Sequence, residues 1–120
     1  MNISMKLKTA PFEAIKSGKK DIELRLNDDK RQRLRLGDMI TFSKLPDQTE
    51  TVAAKVVGLL QYPTFAALAE DFAPERLGGT DKTSVVERMT EYYPVEGRAK
   101  SGVVGIKLRV HGTSYWFARG

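Results

Sequence analysis

Ile22, Leu24 and Leu26 alternate with Glu23 and Arg25 in "SGKKDIELRLNDDKRQR", residues 17–33. Alternation of this kind makes a strand with one apolar and one polar face. A solvent-facing strand needs some polar residues, but Lys20, Glu23 and Arg25 followed at once by Asp28, Lys30 and Arg31 exceed that need. The fold must therefore bury the aliphatic face against a core and give the ionic face either water or a cleft. Glu23 and Arg25 project to one side, whereas Lys20 on a regular strand would project to the other. Lys20 can join them only from a turn or a bulge, and Gly18 makes such a turn cheap.

The same alternation recurs along the chain. Ile3, Met5 and Leu7 predict an opening strand, Met39 to Phe42 a strand after the Gly37-Asp38 turn, and "TVAAKVVGLL" a strand rich in β-branched residues after Pro46-Asp47. "VVGIKLRV" and "SYWFA" predict two closing strands joined through His111-Gly112. Between them, "TAPFEAIKSG" reads as a short helix, with Thr9 as cap, Pro11 in the first turn and Gly18 as terminator. Asn27-Asp28-Asp29 reads as a turn. From Thr64 the period changes to 3.6, with Phe65, Leu68, Ala69 and Phe72 on one stripe. "PERLGGTDKT" reads as a loop, after which Thr80 or Asp81 opens a helix carrying Val85, Val86 and Met89 that ends at Pro94. "VEGRAKSG" reads as a polar connection. With no internal repeat or linker, residues 1–120 form one α+β domain of five to seven strands and about three helices.

Composition narrows the chemistry. The chain has no cysteine, which removes disulfides, thiol catalysis and cysteine-based zinc sites, and its one histidine argues against a transition-metal site. Neither a metal nor a cofactor is expected. No apolar run approaches the roughly 20 residues of a membrane span, and the N-terminus does not read as a secretory signal. A cytoplasmic location without membrane association is the expectation. The net charge of +5 favours polyanionic partners. Lys19, Lys30, Arg31, Arg33 and Arg35 are candidate phosphate contacts, although Asp28 and Asp29 interrupt the basic run. Tyr93, with Tyr92, Tyr62 and Trp116 beside it as alternatives, is a candidate stacking surface. Phe12, Phe65, Phe72 and one of the Tyr92/Tyr93 pair are assigned to the core.

Taken in order, Pro11, "SGKKDIELR", "GDMITF", "EYYP" and "GVVGI" resemble the ASCH domain family, named for activating signal cointegrator homology. The resemblance runs from about Lys6 to about Leu108. It implies a PUA-like fold, a small β-barrel with flanking helices, and a polar cleft where the first helix meets the barrel. Two functions go with such relatives: RNA recognition, and hydrolysis of the amide of N4-acetylcytidine by small bacterial members. The bacterial amidohydrolase type has a lysine after the glycine, matched by Lys20, and a threonine three residues later, where this chain has Glu23. It also relies on a glutamate before the "YP" helix end. That position falls near Leu77-Gly78-Gly79, with Glu70 and Glu75 the nearest carboxylates.

Amide hydrolysis needs a nucleophile, a base and an oxyanion donor. Glu23 as base for water, Lys20 as proton shuttle or oxyanion partner and Arg25 as orienting group make one assignment. A hydroxyl nucleophile, Ser101 or Thr41, makes another. Left exposed, a Glu23–Arg25 pair would contribute only about 0–1 kcal/mol. The expectation is a cleft for a nucleobase or nucleoside, with hydrolysis of N4-acylated cytidine ahead of RNA binding.

Overall fold

The structure is a computed structural model that describes residues 2–93, 95 and 100–115. Its alternating segments form β1 (Asn2–Leu7), β2 (Ile22–Leu26), β3 (Met39–Lys44), β4 (Glu50–Tyr62) and β5 (Val103–Tyr115). All five join one curled sheet, a half-barrel, in the order β1-β3-β4-β5-β2. β1 runs parallel to β3, and every other pairing is antiparallel. The helices are α1 (Thr9–Lys16), α2 (Asp29–Gln32), α3 (Phe65–Glu70) and α4 (Lys82–Tyr92), with a 3-10 turn at Pro74–Leu77.

The expected α+β architecture is present, with three differences in detail. The stretch read as two strands around His111-Gly112 is one strand. Gly112 pairs with Ala53 and Val110 with Ala54, so His111 is an extra residue absorbed as a bulge, and no chain reversal occurs. Trp116 to Ala118 of the proposed last strand, like residues 96–99 of the 95–102 connection, lie outside the described residues. The Asn27-Asp28-Asp29 turn continues into α2, because the Asp28 carboxylate accepts the Arg31 backbone N–H at 3.1 Å and caps one helical turn. The loop after α3 tightens into the 3-10 turn, with Pro74 supplying a preset φ at its start.

The sheet buries both faces. On one, Phe12 and Ile15 of α1 pack against Ile40, Phe42, Val52, Val56 and Ile106. On the other, Ile22, Leu24 and Val103 pack against Phe65, Leu68, Leu77 and Val85 from α3, the 3-10 turn and α4. The side-chain caps Thr64 on α3 and Asp81 on α4 satisfy first-turn N–H groups at 3.0 and 2.8 Å. α1 begins without a side-chain cap: Thr9 is its first residue and Lys8 occupies the cap position. Phe12 and Phe65 are core, Phe72 and Tyr93 are partly buried, and Tyr92 is exposed. Among the described residues no helix is long and apolar enough to cross a membrane.

Candidate functional site

Gly18, at φ +83°, ends α1, and the Lys20 N–H returns to the carbonyl of Ala14 at 3.0 Å. Lys20 therefore belongs to the turn and escapes the alternation that begins at Ile22. Its ammonium reaches Glu23 Oε1 at 2.8 Å. Arg25 approaches Glu23 Oε2 with Nε and Nη2, each at 2.8 Å. The three candidates thus converge, through the turn that the glycine allows. Glu23 lies opposite Ile106 and Arg25 opposite Val104 on β5, which puts both on the α1 side of the sheet.

Lys20 and Glu23 are each only 4% exposed. Burial alone would push the Glu23 carboxyl up, but the charges of Lys20 and Arg25, and their hydrogen bonds, outweigh it and hold the group below its ordinary value. Burial pulls Arg25 down, and the Glu23 carboxylate more than compensates. The result is a buried carboxylate clamped in its ionised form, with one cation more than it needs. An Asp21–Arg76 fork, at 2.9 and 3.0 Å, fastens the 3-10 turn to the start of β2. The turn carries Gly78, at φ +85°, directly over Lys20: a Cβ there would lie 2.8 Å from Lys20 Cδ.

Beside the cluster, α2 and the sheet enclose a cavity of about 280 Å³ whose lining includes Arg31, Arg35, Gln61, Leu34, Leu59 and Val104. Val104 is the residue opposite Arg25, so the cavity adjoins the cluster across one strand. Tyr93 is partly buried: its ring stacks on Phe65 with centroids 5.8 Å apart. Burial raises its hydroxyl pKa, with Arg25, Glu23 and Arg31 all acting on it electrostatically. Tyr92 is 68% exposed and meets Tyr93 edge-on at 5.0 Å, which makes it the freer stacking surface of the two.

The remaining sequence candidates lie around or away from this centre. Lys19, Lys30, Arg33 and Arg35 are exposed, and Arg31 is half-buried. Ser101 sits beyond the Leu26 end of β2, where its hydroxyl donates to the Gly102 carbonyl at 3.2 Å. It lies five positions before Ile106, the partner of Glu23, and ahead of the start of β5. Thr41 alternates with Ile40 and Phe42, both in the α1-side core, and so faces the other side. Neither hydroxyl is brought to the cluster. Of the positions near the second glutamate, Leu77 is fully buried among apolar side chains, while Glu70 and Glu75 are exposed. Gly78 and the cavity residues Asn27 and Gln61 are not legible as site residues in the sequence, since each is a common turn or strand-end residue. Among the described residues no cluster suited to holding a metal ion occurs.

The ASCH domain family model matches residues 5–110. The fold is similar to the crystal structure of hypothetical protein PH0355, at TM-score 0.81 and 32% identity over 92% of this chain and 100% of that one. It is also similar to the solution structure of protein PF0455 from Pyrococcus furiosus, at TM-score 0.73 and 28% identity over 92% and 97% of the two chains. No curated protein matches the chain. A match across nearly the whole chain, joined to the helix, glycine turn and Lys20–Glu23–Arg25 cluster described above, makes this chain a member of the ASCH domain family.

Proposed function

We propose that this ASCH domain binds a nucleobase-bearing ligand, an RNA strand or a nucleoside unit, at the surface where Arg25 of the Lys20–Glu23–Arg25 cluster is reached. The observation that carries the reading is the buried, net-positive ion cluster beside a cavity of mixed apolar and polar lining. Taking charges out of water costs several kcal/mol per ion, and an apolar packing of the same volume would be as stable or more so. A cluster kept at that cost, next to space for a ligand, is better explained by recognition than by stability. Glu23 fixes the two cations in place. Arg25, the most exposed of the three, has N–H groups not spent on Glu23 to offer a base or sugar oxygen.

A second reading is hydrolysis of N4-acylated cytidine, favoured by the 2.8 Å contact between Lys20 and Glu23. Water would add to the acyl carbon, its proton passing to Glu23. Lys20 would hold the oxyanion, and the C–N bond would break as the proton passes from Glu23 to the leaving nitrogen, giving a carboxylic acid and the cytosine amine. The ion pairs weigh against this reading, because a carboxylate held below its ordinary value is a weak base at neutral pH. Binding therefore stands first.

Titration of cytidine and N4-acetylcytidine, with loss of the acetyl chromophore followed in the same samples, separates the two. Saturable binding without turnover, weakened about tenfold or more in Arg25→Ala, is the expected result. Turnover abolished in folded Lys20→Ala and Glu23→Gln would put hydrolysis first, and absence of both binding and turnover would remove the reading.

A further inference from the structure

We propose that the sheet face turned away from α1, where β1, β3, β4 and β5 lie side by side, is a docking surface for the phosphate backbone of a nucleic acid, contacted without reading its bases. The inference goes beyond the reading of the Lys20–Glu23–Arg25 cluster, whose glutamate and arginine lie on the α1 side of the sheet.

Register builds this face. Ser4 of β1 stands beside Thr41 of β3, Thr41 beside Ala53 of β4, and Ala53 beside Gly112 of β5. One row along, Lys55 stands directly opposite Arg109. Lys107 shares their face two residues from Arg109, and its stem lies so close to Gly58 that a Cβ there would come within 2.9 Å of it. Lys6, beside Ser43, closes the other end. The residues alternating with these make the core against α1, yet none of those just named is buried. The apolar layer of α3, the 3-10 turn and α4 leaves them uncovered, since none of its members comes from β1, β3 or the 50–58 part of β4.

Charge decides what suits the face. The side chains of Lys6, Lys55, Lys107 and Arg109 make no ion pair or hydrogen bond among the described residues. No carboxylate stands in these rows, and Asp21, whose carbonyl accepts the Leu108 N–H, has its own carboxylate forked to Arg76. Like charges directly opposite on neighbouring strands destabilise a sheet, so the Lys55–Arg109 pair carries a cost that a bound anion would relieve. The large exposed apolar side chains, Leu36, Tyr92 and Val95, all lie off this face, which therefore has nothing to insert into a lipid surface. Nor do the rows hold an aromatic ring on which a base could stack. What they offer is hydroxyls and small residues between cations. Such groups donate to phosphate oxygens and fix a strand in place without carrying sequence information.

Fluorescence anisotropy of a short labelled oligouridylate, titrated with the full chain at several salt concentrations, tests the proposal. Lys55→Gln combined with Arg109→Gln is expected to weaken binding about tenfold at low salt and to flatten the slope of log affinity against log salt by about 1.4, the value for two single-strand phosphate contacts. Lys82→Gln combined with Arg88→Gln removes the same charge from exposed positions on α4 and should do neither. The first variant should melt at or above wild type, because it removes a like-charge pair. Should it fail to fold, Lys107→Gln gives the same readings at one contact, with a slope change of about 0.7. Unchanged affinity and slope in the face variants, or no binding by the wild type, would overturn the proposal. Equal losses in the two double variants would overturn it in favour of net charge alone. Binding of phosphatidylserine vesicles or polyglutamate in place of the oligonucleotide would overturn it in favour of a membrane or an acidic protein.

Discussion

Replacing Glu23 by leucine is expected to lower the unfolding free energy by about 3–5 kcal/mol, because it strands the ammonium of Lys20 in the interior without a counter-ion. For a domain of this size the melting temperature should fall by roughly 10 °C or more. Replacing the whole cluster, Lys20→Met with Glu23→Leu and Arg25→Met, should recover most of the loss, since no uncompensated charge remains. A Glu23→Leu melt within about 2 °C of wild type would mean that water reaches Lys20 and that the cluster is not a buried one. The pH dependence follows in sign. The folded protein holds the Glu23 carboxyl below the ordinary value of 4.5. Its contribution is therefore complete above that value and is lost as pH falls through the folded-state pKa. The stability gap between wild type and Glu23→Gln should be constant at neutral pH and narrow in acid.

The second large effect is expected at Gly78. At φ +85° a Cβ is strained whatever the space, by about 1–2 kcal/mol. Here the Cβ would also sit 2.8 Å from Lys20 Cδ, on a stem whose far end is tied to Glu23 and cannot swing away. Gly78→Ala should thus cost about 2–4 kcal/mol in chemical denaturation. In a Lys20→Ala background the overlap disappears, and the same change should cost only the backbone part. Equal costs in both backgrounds would show that Gly78 does not roof the lysine. The same overlap bears on chemistry, because a larger side chain at position 78, a carboxylate included, would have to displace Lys20 from Glu23.

The strand alternation in the sequence is enough to place the β elements, because period two reports directly which face is buried. It also separates Glu23 and Arg25 from Ile22 and Leu24 correctly. The convergence of Lys20 depends on Gly18, whose positive φ is readable as a capability but not as a direction. Features set by contacts between distant segments escape such a reading. His111 looks like a turn residue, and only its position opposite Ala53 and Ala54 makes it a bulge. Gly78 looks like loop punctuation, and only the Asp21–Arg76 fork brings it over the cluster. Asp28 reads as part of a turn, which it is, but its cap on Arg31 also builds α2 and one wall of the cavity. Ser101 looks close to the site because it precedes a core strand, yet antiparallel register carries it to the far end of β2.

The most direct measurement of the central claim is equilibrium binding of a short single-stranded cytidine-rich RNA to wild type and to the apolar triple variant at matched ionic strength. On the proposal that ligand recognition explains the cluster's cost, the triple variant should melt near wild type and bind about tenfold or more weakly. Equal affinity in a well-folded triple variant would contradict the account and leave the cluster without a role in recognition.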